Sequence, residues 1–209
     1  TAFLFAIAAF ITFIIGGLTG LFLGSELADL HFHDTYFVVG HFHYTLFPAA
    51  IMGGLAGVYY WFPKMFGRMM NEKLGKVHVA LTFIGHNLFA FPLFFLGLAG
   101  HPRRYYTIIF HESLKEYQWI HVLATVGGIL RVVGALVFLY NFFKSMRSGE
   151  KAEKNPWRAS TLEWLAESPP PHDNWGEAVP TVSNGPYEYA VEEAGTDFKP
   201  QGELPAASK

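Results

Sequence analysis

The stretch His31-Phe-His-Asp-Thr-Tyr-Phe-Val-Val-Gly-His-Phe-His-Tyr44 begins among polar residues and ends inside an apolar run. Thr35 to Pro63 contains no Asp, Glu, Lys or Arg, and a helix of about 20 such residues crosses the hydrocarbon core of a bilayer. His41 and His43 therefore fall within a membrane span, where ionisable groups are costly and usually functional. Helical residues two apart point about 200° away from each other. The two imidazoles then face opposite sides and do not share one metal. If both are ligands, they serve two metal centres flanking a single helix, with Phe42 between them in sequence. Two core histidines bonded to neighbouring helices is an equally good reading of His-x-His alone.

The rest of the chain agrees with a membrane setting. Thr1 to Ser25 and Val77 to Pro102 also lack charge, and Tyr117 to Phe143 carries only Arg131. Four transmembrane helices are expected at about 2–24, 36–63, 77–99 and 117–143. Of 209 residues only 15% are charged, and 18 of those 32 lie after Phe143. Two parts follow: residues 1–143, a four-helix transmembrane region, and residues 144–209, an extended tail. The tail has a Pro-rich stretch, Ser168-Pro-Pro-Pro-His172, and an acidic end with Glu192, Glu193 and Asp197. It is expected to lie on a partner. A chain that opens on Thr1 inside an apolar run, without a basic start, does not resemble a signal peptide. It is expected to be processed, or to be the C-terminal piece of a longer polytopic chain.

Orientation follows from Lys and Arg in the short loops. Lys64, Arg68, Lys73 and Lys76, and the cluster after the fourth span, place those segments and the tail in the cytoplasm. Ser25 to Asp34, with Glu26, Asp29 and Asp34, faces outward, as does the segment from Arg103 to Glu116. Outward Arg103 and Arg104 call for an anionic partner, since guanidinium binds carboxylates and phosphates bidentately; lipid headgroups are the plainer option. A net charge of −2 offers no general attraction to nucleic acid. With no Cys, thiolate copper, iron–sulfur and c-type haem attachment are excluded within this chain, so a redox metal here must use some of the ten His. Haem iron leads for His41 and His43. His33-Asp34 suits a hard divalent ion if other oxygens join it; a solvated loop pair is the plainer reading.

These residues closely resemble the signature of subunit I of the haem–copper terminal oxidases, in the cytochrome c oxidase (aa3 and caa3-like) and related quinol oxidase branch. The resemblance continues through Gly16-Gly-Leu-Thr-Gly20, Ile51-Met-Gly-Gly54, Trp61-Phe-Pro63, Leu96-Gly-Leu-Ala-Gly-His-Pro-Arg-Arg-Tyr105, Asn155-Pro-Trp157 and Thr161-Leu-Glu-Trp164. It implies an all-α polytopic membrane protein whose four spans match the last four of twelve, followed by the extended C-terminal tail. By resemblance, His41 is the axial ligand of the high-spin (a3-type) haem and carries the catalytic role, and His43 is one ligand of the low-spin (a-type) haem. Phe42 sits where electrons pass between haems. His33 and Asp34 bind magnesium or manganese, Arg103 and Arg104 bind haem propionates, and Tyr36 and Asp29 lie nearby. Copper B is held by residues outside this chain.

The implied activity is reduction of O2 to water with electrons from cytochrome c, coupled to proton translocation in a respiratory membrane. The implied partners are the remainder of subunit I, subunit II with its copper A centre, subunit III, cytochrome c and membrane lipid, with no nucleic acid. A dihaem electron carrier, a quinol-oxidising relative and a haem-free transporter or scaffold remain as alternatives. His86 and His121 are expected as hydrogen-bonded core histidines. Three departures stand out. Pro48 lies one turn after Tyr44, where a kink is expected. Phe91-Pro-Leu-Phe-Phe95 lacks the polar Gln-His that many members carry after the proline. Arg131 has no counterpart in the pattern and is expected to face protein, lipid phosphate or an acid.

Overall fold

The computed structural model describes residues 1–107, 112–176, 179–188 and 199–204. The acidic residues Glu192, Glu193 and Asp197 lie outside them. Among the described residues the chain is predominantly helical: α1 (Ala2–Leu23), α2 (Glu26–Phe32), α3 (Tyr36–Leu46), a π-helical segment (Phe47–Met52), α4 (Gly53–Phe66), α5 (Glu72–Leu98), α6 (Glu112–Lys115) and α7 (Gln118–Ser148). Four continuous helical runs, Ala2–Leu23, Tyr36–Phe66, Glu72–Leu98 and Gln118–Ser148, are long and apolar enough to cross a membrane. The protein is an all-α polytopic membrane protein with an extended C-terminal segment. In lipid every backbone polar group must be satisfied within the element, which a helix does by itself.

The helical runs outlast the expected spans. The third begins five residues early, at Glu72, and the fourth reaches Ser148. Hydropathy marks the hydrocarbon boundary, whereas the backbone ladder continues past it through Lys73, Lys76, Lys144 and Arg147. At Pro48 the chain does not break. Proline cannot donate to the Tyr44 carbonyl, and the residues from Phe47 to Met52 take wider π-helical hydrogen bonding instead. Glu26–Phe32 forms a short helix that charge and hydropathy do not reveal.

The contacts divide the chain into two compact units, Thr1–Tyr59 with Glu72–Asn141, and Tyr60–Asn71 with Phe142–Lys209. In the first, α3 packs against both α1 and α5. Backbones approach closely through small residues, the usual device where lipid removes the hydrophobic drive between helices. A Cβ on Gly97 would overlap the Phe37 backbone, and one on Gly127 would overlap the Phe89 amide. Phe37, Tyr44, Ala90 and Phe94 form one buried cluster, and Leu93, Leu96, Ile120 and Ala124 another. Outward faces of α1 and α7 stay apolar and exposed, Phe3, Leu21, Leu136 and Val132 among them.

In the second unit the tail is irregular over most of its described length, yet it is anchored. Lys64 donates to the carbonyls of Lys154, Ala166 and Glu167, and its ammonium lies over the buried Trp164 ring. Trp157 Nε1 donates to the Tyr60 carbonyl at 2.8 Å. Gln201 bridges back to Ser160 and Leu162, next to a two-residue antiparallel pairing of β1 (Thr181–Val182) with β2 (Gly202–Glu203). Part of what the tail lies on is therefore the end of this chain's own α4.

Candidate functional site

Thr35 starts α3 as a capping residue. Its hydroxyl accepts from the Phe37 amide at 3.2 Å and donates to the Phe32 carbonyl at 2.7 Å. From that start the two histidines fall one and a half to two turns into the helix. His41 turns toward α1, where Nδ1 lies 2.9 Å from the Gly16 carbonyl and 3.1 Å from the Thr19 hydroxyl. Thr19 donates to that same carbonyl at 2.8 Å. A carbonyl only accepts, so Nδ1 carries the proton and Nε2 keeps its lone pair. Gly20 leaves room for the ring: a Cβ there would sit 2.9 Å from His41 Cε1.

His43 turns the other way, toward α5. Its Nδ1 lies 2.8 Å from the Val39 carbonyl on its own helix, and its ring meets Phe89 edge-on at 4.9 Å. The same tautomer follows, with Nε2 again the free base. Both rings are half-buried. Phe42 stacks on His43, with centroids 4.7 Å apart.

At the N-terminal end of α3 the remaining candidates gather. Arg103 Nε donates to Asp34 Oδ1 at 2.7 Å, and the Arg103 amide to the Asp34 carbonyl at 2.8 Å. Asp34 and Arg104 both adopt positive φ. His33 lies 3.4 Å from Asp29 and 3.8 Å from Asp34. Arg104 is exposed, with no side-chain partner among the described residues. Among those residues no group of three His, Asp or Glu is arranged to hold a metal, so a divalent ion on His33 and Asp34 needs oxygens from elsewhere. Asp29 sits with His33, and Tyr36 sits apart from it, packed on the rings of His101, Tyr105 and His121.

That last cluster has no signal in local spacing, because a loop and a helix turn bring its members together. Tyr105 Oη lies 3.2 Å from His101 Nδ1 and 3.2 Å from His121 Nε2, and the two nitrogens are 3.3 Å apart. Burial, and secondarily the nearby His121, hold the His101 pKa below its usual value; burial and Tyr36 push the Tyr105 phenol up.

Of two other membrane residues, His86 departs from expectation and Arg131 takes one of its expected settings. His86 is fully buried, neither nitrogen has a hydrogen-bond partner among the described residues, and the ring stacks on Phe47 at 4.6 Å and 7°. Arg131 faces protein, but aromatic rings rather than an acid, with its guanidinium 3.9 Å from the Phe47 centroid and 4.9 Å from that of Phe89.

Residues 1–130 match the family described as cytochrome c and quinol oxidase polypeptide I. The chain belongs to this haem–copper oxidase subunit I family. Cytochrome c oxidase subunit 1 of Synechocystis sp. is 47% identical over 192 residues, 92% of this chain and 34% of that protein. The alternative cytochrome c oxidase subunit 1 of Bradyrhizobium diazoefficiens is 45% identical over 208 residues, 97% of this chain and 34% of the relative. A solved heme-copper terminal oxidase dimer superposes with a TM-score of 0.64 at 27% identity, covering 73% of this chain and 28% of that one. The chain thus spans about a third of the length of the curated relatives it matches. Subunit I proteins of this family are membrane oxidoreductases of the respiratory chain that use haem and copper and work in complexes with other subunits.

The histidines fit haem iron. An imidazole whose Nδ1–H is held by a backbone carbonyl presents Nε2 in a set direction with raised basicity, the usual arrangement of a metal-bound histidine.

Proposed function

We propose that this chain works within a terminal oxidase that reduces O2 to water with electrons from cytochrome c and moves protons across a respiratory membrane. The observation that carries the reading is the pair of opposed imidazoles on α3, each with Nδ1 on a carbonyl and Nε2 left as the free base. His41 would hold the high-spin haem on the α1 side, and His43 would hold the low-spin haem on the α5 side. When bound, haem would supply reversible one-electron chemistry and a place for O2.

The chain's own residues hold and tune. Gly16 and Thr19 keep the His41 proton on Nδ1 and fix its ring, and Gly20 leaves the space that ring needs. Val39 and Phe89 do the same for His43. Phe42, stacked on His43, lies on the short covalent route between the two ligands. Arg103 and Arg104 neutralise carboxylates of the haem edge, with Tyr36 and Asp29 alongside. Asp34, already paired to Arg103, shares a magnesium or manganese ion with His33 and with oxygens of subunit II. Copper B, its ligands and the second low-spin ligand come from the remainder of subunit I. Copper A belongs to subunit II, subunit III completes the core, and lipid covers the outer apolar faces. The tail is cytoplasmic.

Carbon monoxide difference spectroscopy on the purified complex tests this function. One of two haems is expected to bind the gas. Haem with no carbon monoxide response would leave a dihaem electron carrier, and no haem at all would leave neither.

A further inference from the structure

We propose that His101, Tyr105 and His121 form a binding site for a divalent first-row transition-metal ion of the Zn2+ type. The three donor atoms make a closed triangle with edges of 3.2, 3.2 and 3.3 Å. A tetrahedral ion with metal–ligand bonds of about 2.0–2.1 Å has ligand-to-ligand edges of about 3.3 Å. Each imidazole nitrogen has a single in-plane direction for a proton or lone pair, and here each has two other donor atoms within 3.3 Å. All three donors therefore lie within hydrogen-bonding reach of one another. Hydrogen bonding alone serves only two of the edges well, through the hydroxyl, and leaves two nitrogens against each other.

The donors are also held in place. The His101 backbone amide donates to the Leu96 carbonyl at 3.0 Å, and its carbonyl accepts from the Tyr36 amide at 2.9 Å. Tyr36 stands edge-on to His101 and His121, and Tyr117 edge-on to His101. His101 is completely buried, whereas Tyr105 and His121 are half-buried. Imidazole suits zinc, copper and nickel, while magnesium and calcium prefer carboxylate and carbonyl oxygen. The triangle holds two nitrogens and no carboxylate, so it selects the first class. A phenol oxygen is the weakest of the three donors, so the two imidazoles carry most of the affinity. The site uses neither His41 nor His43, although Tyr36, placed above beside the haem edge, packs against all three donors.

The test uses the complete purified oxidase complex, stripped with chelator, loaded with Zn2+ and freed of excess by gel filtration. One zinc per complex more than in His121→Gln is expected. Zinc K-edge absorption should show two imidazoles at about 2.0 Å. Tyr105→Phe, which keeps the ring, should weaken binding roughly tenfold, and it keeps the test open if His101→Gln or His121→Gln fails to assemble. Equal zinc in wild type and His121→Gln, or unchanged affinity in Tyr105→Phe, overturns the proposal. So does zinc that disappears with Asp34→Asn while His121→Gln retains it.

Discussion

Arg103 grips Asp34 twice, through its side-chain Nε at 2.7 Å and its backbone amide at 2.8 Å. One hydrogen bond needs the carboxylate and the other does not. Asp34→Asn should therefore leave the loop in place while weakening the ion pair. Both groups are solvent-accessible, so the stability loss should stay below about 1 kcal/mol. Manganese bound near His33, read by electron paramagnetic resonance of the complex grown on manganese, should fall at least severalfold. Retained manganese would remove Asp34 from the ligand set.

Gly20 lies against the His41 ring. In Gly20→Ala the new Cβ would meet Cε1 at 2.9 Å, and the ring cannot move aside without losing the Gly16 carbonyl. The carbon monoxide spectrum of the high-spin haem should shift and its rebinding rate change, with the low-spin band unaltered. An unchanged carbon monoxide adduct would mean that His41 does not hold that haem.

Arg131 has no acid beside it among the described residues, and it meets Phe89, which also touches His43. Its positive charge should stabilise the reduced low-spin haem. Arg131→Met is expected to lower that haem's midpoint potential by tens of mV, on the order expected of a charge in a protein interior of intermediate dielectric. Spectroelectrochemical titration reads this directly. A rise, or no change, would contradict it.

His78 and His86 make a controlled pair on one helix. His78 Nδ1 meets the Tyr59 hydroxyl at 3.1 Å, whereas both His86 nitrogens are buried without a partner among the described residues. His78→Phe should cost about 1 kcal/mol for a lost buried hydrogen bond. His86→Phe should be neutral or stabilising, because it removes two unsatisfied polar atoms and keeps the stack on Phe47. Thermal unfolding of the complex compares them. A larger loss for His86→Phe would contradict the reading.

The spans were legible because charge-free runs of this length have few alternatives, and the opposed imidazoles because helix geometry makes positions two apart diverge. The details of α3 were not. A proline one turn after Tyr44 reads as a kink, but the π-helical hydrogen bonding over Phe47–Met52 that accommodates it is not written in the local sequence. Arg103 and Asp34 are 69 residues apart, and nothing in either motif says that they pair with each other. His101 and Tyr105 meet His121 because the loop after α5 packs against the first turn of α7. Trp164 reads as part of an irregular tail, yet it is buried beside Lys64, a contact set by chain segments about a hundred residues apart.

The central claim is that His41 and His43 serve two haems on opposite sides of one helix. Paired optical spectra of His41→Ala and His43→Ala complexes test it most directly. The account predicts that the first loses carbon monoxide binding while keeping a low-spin band, and that the second loses or shifts the low-spin band while the high-spin haem remains. Loss of one and the same haem in both variants would contradict it.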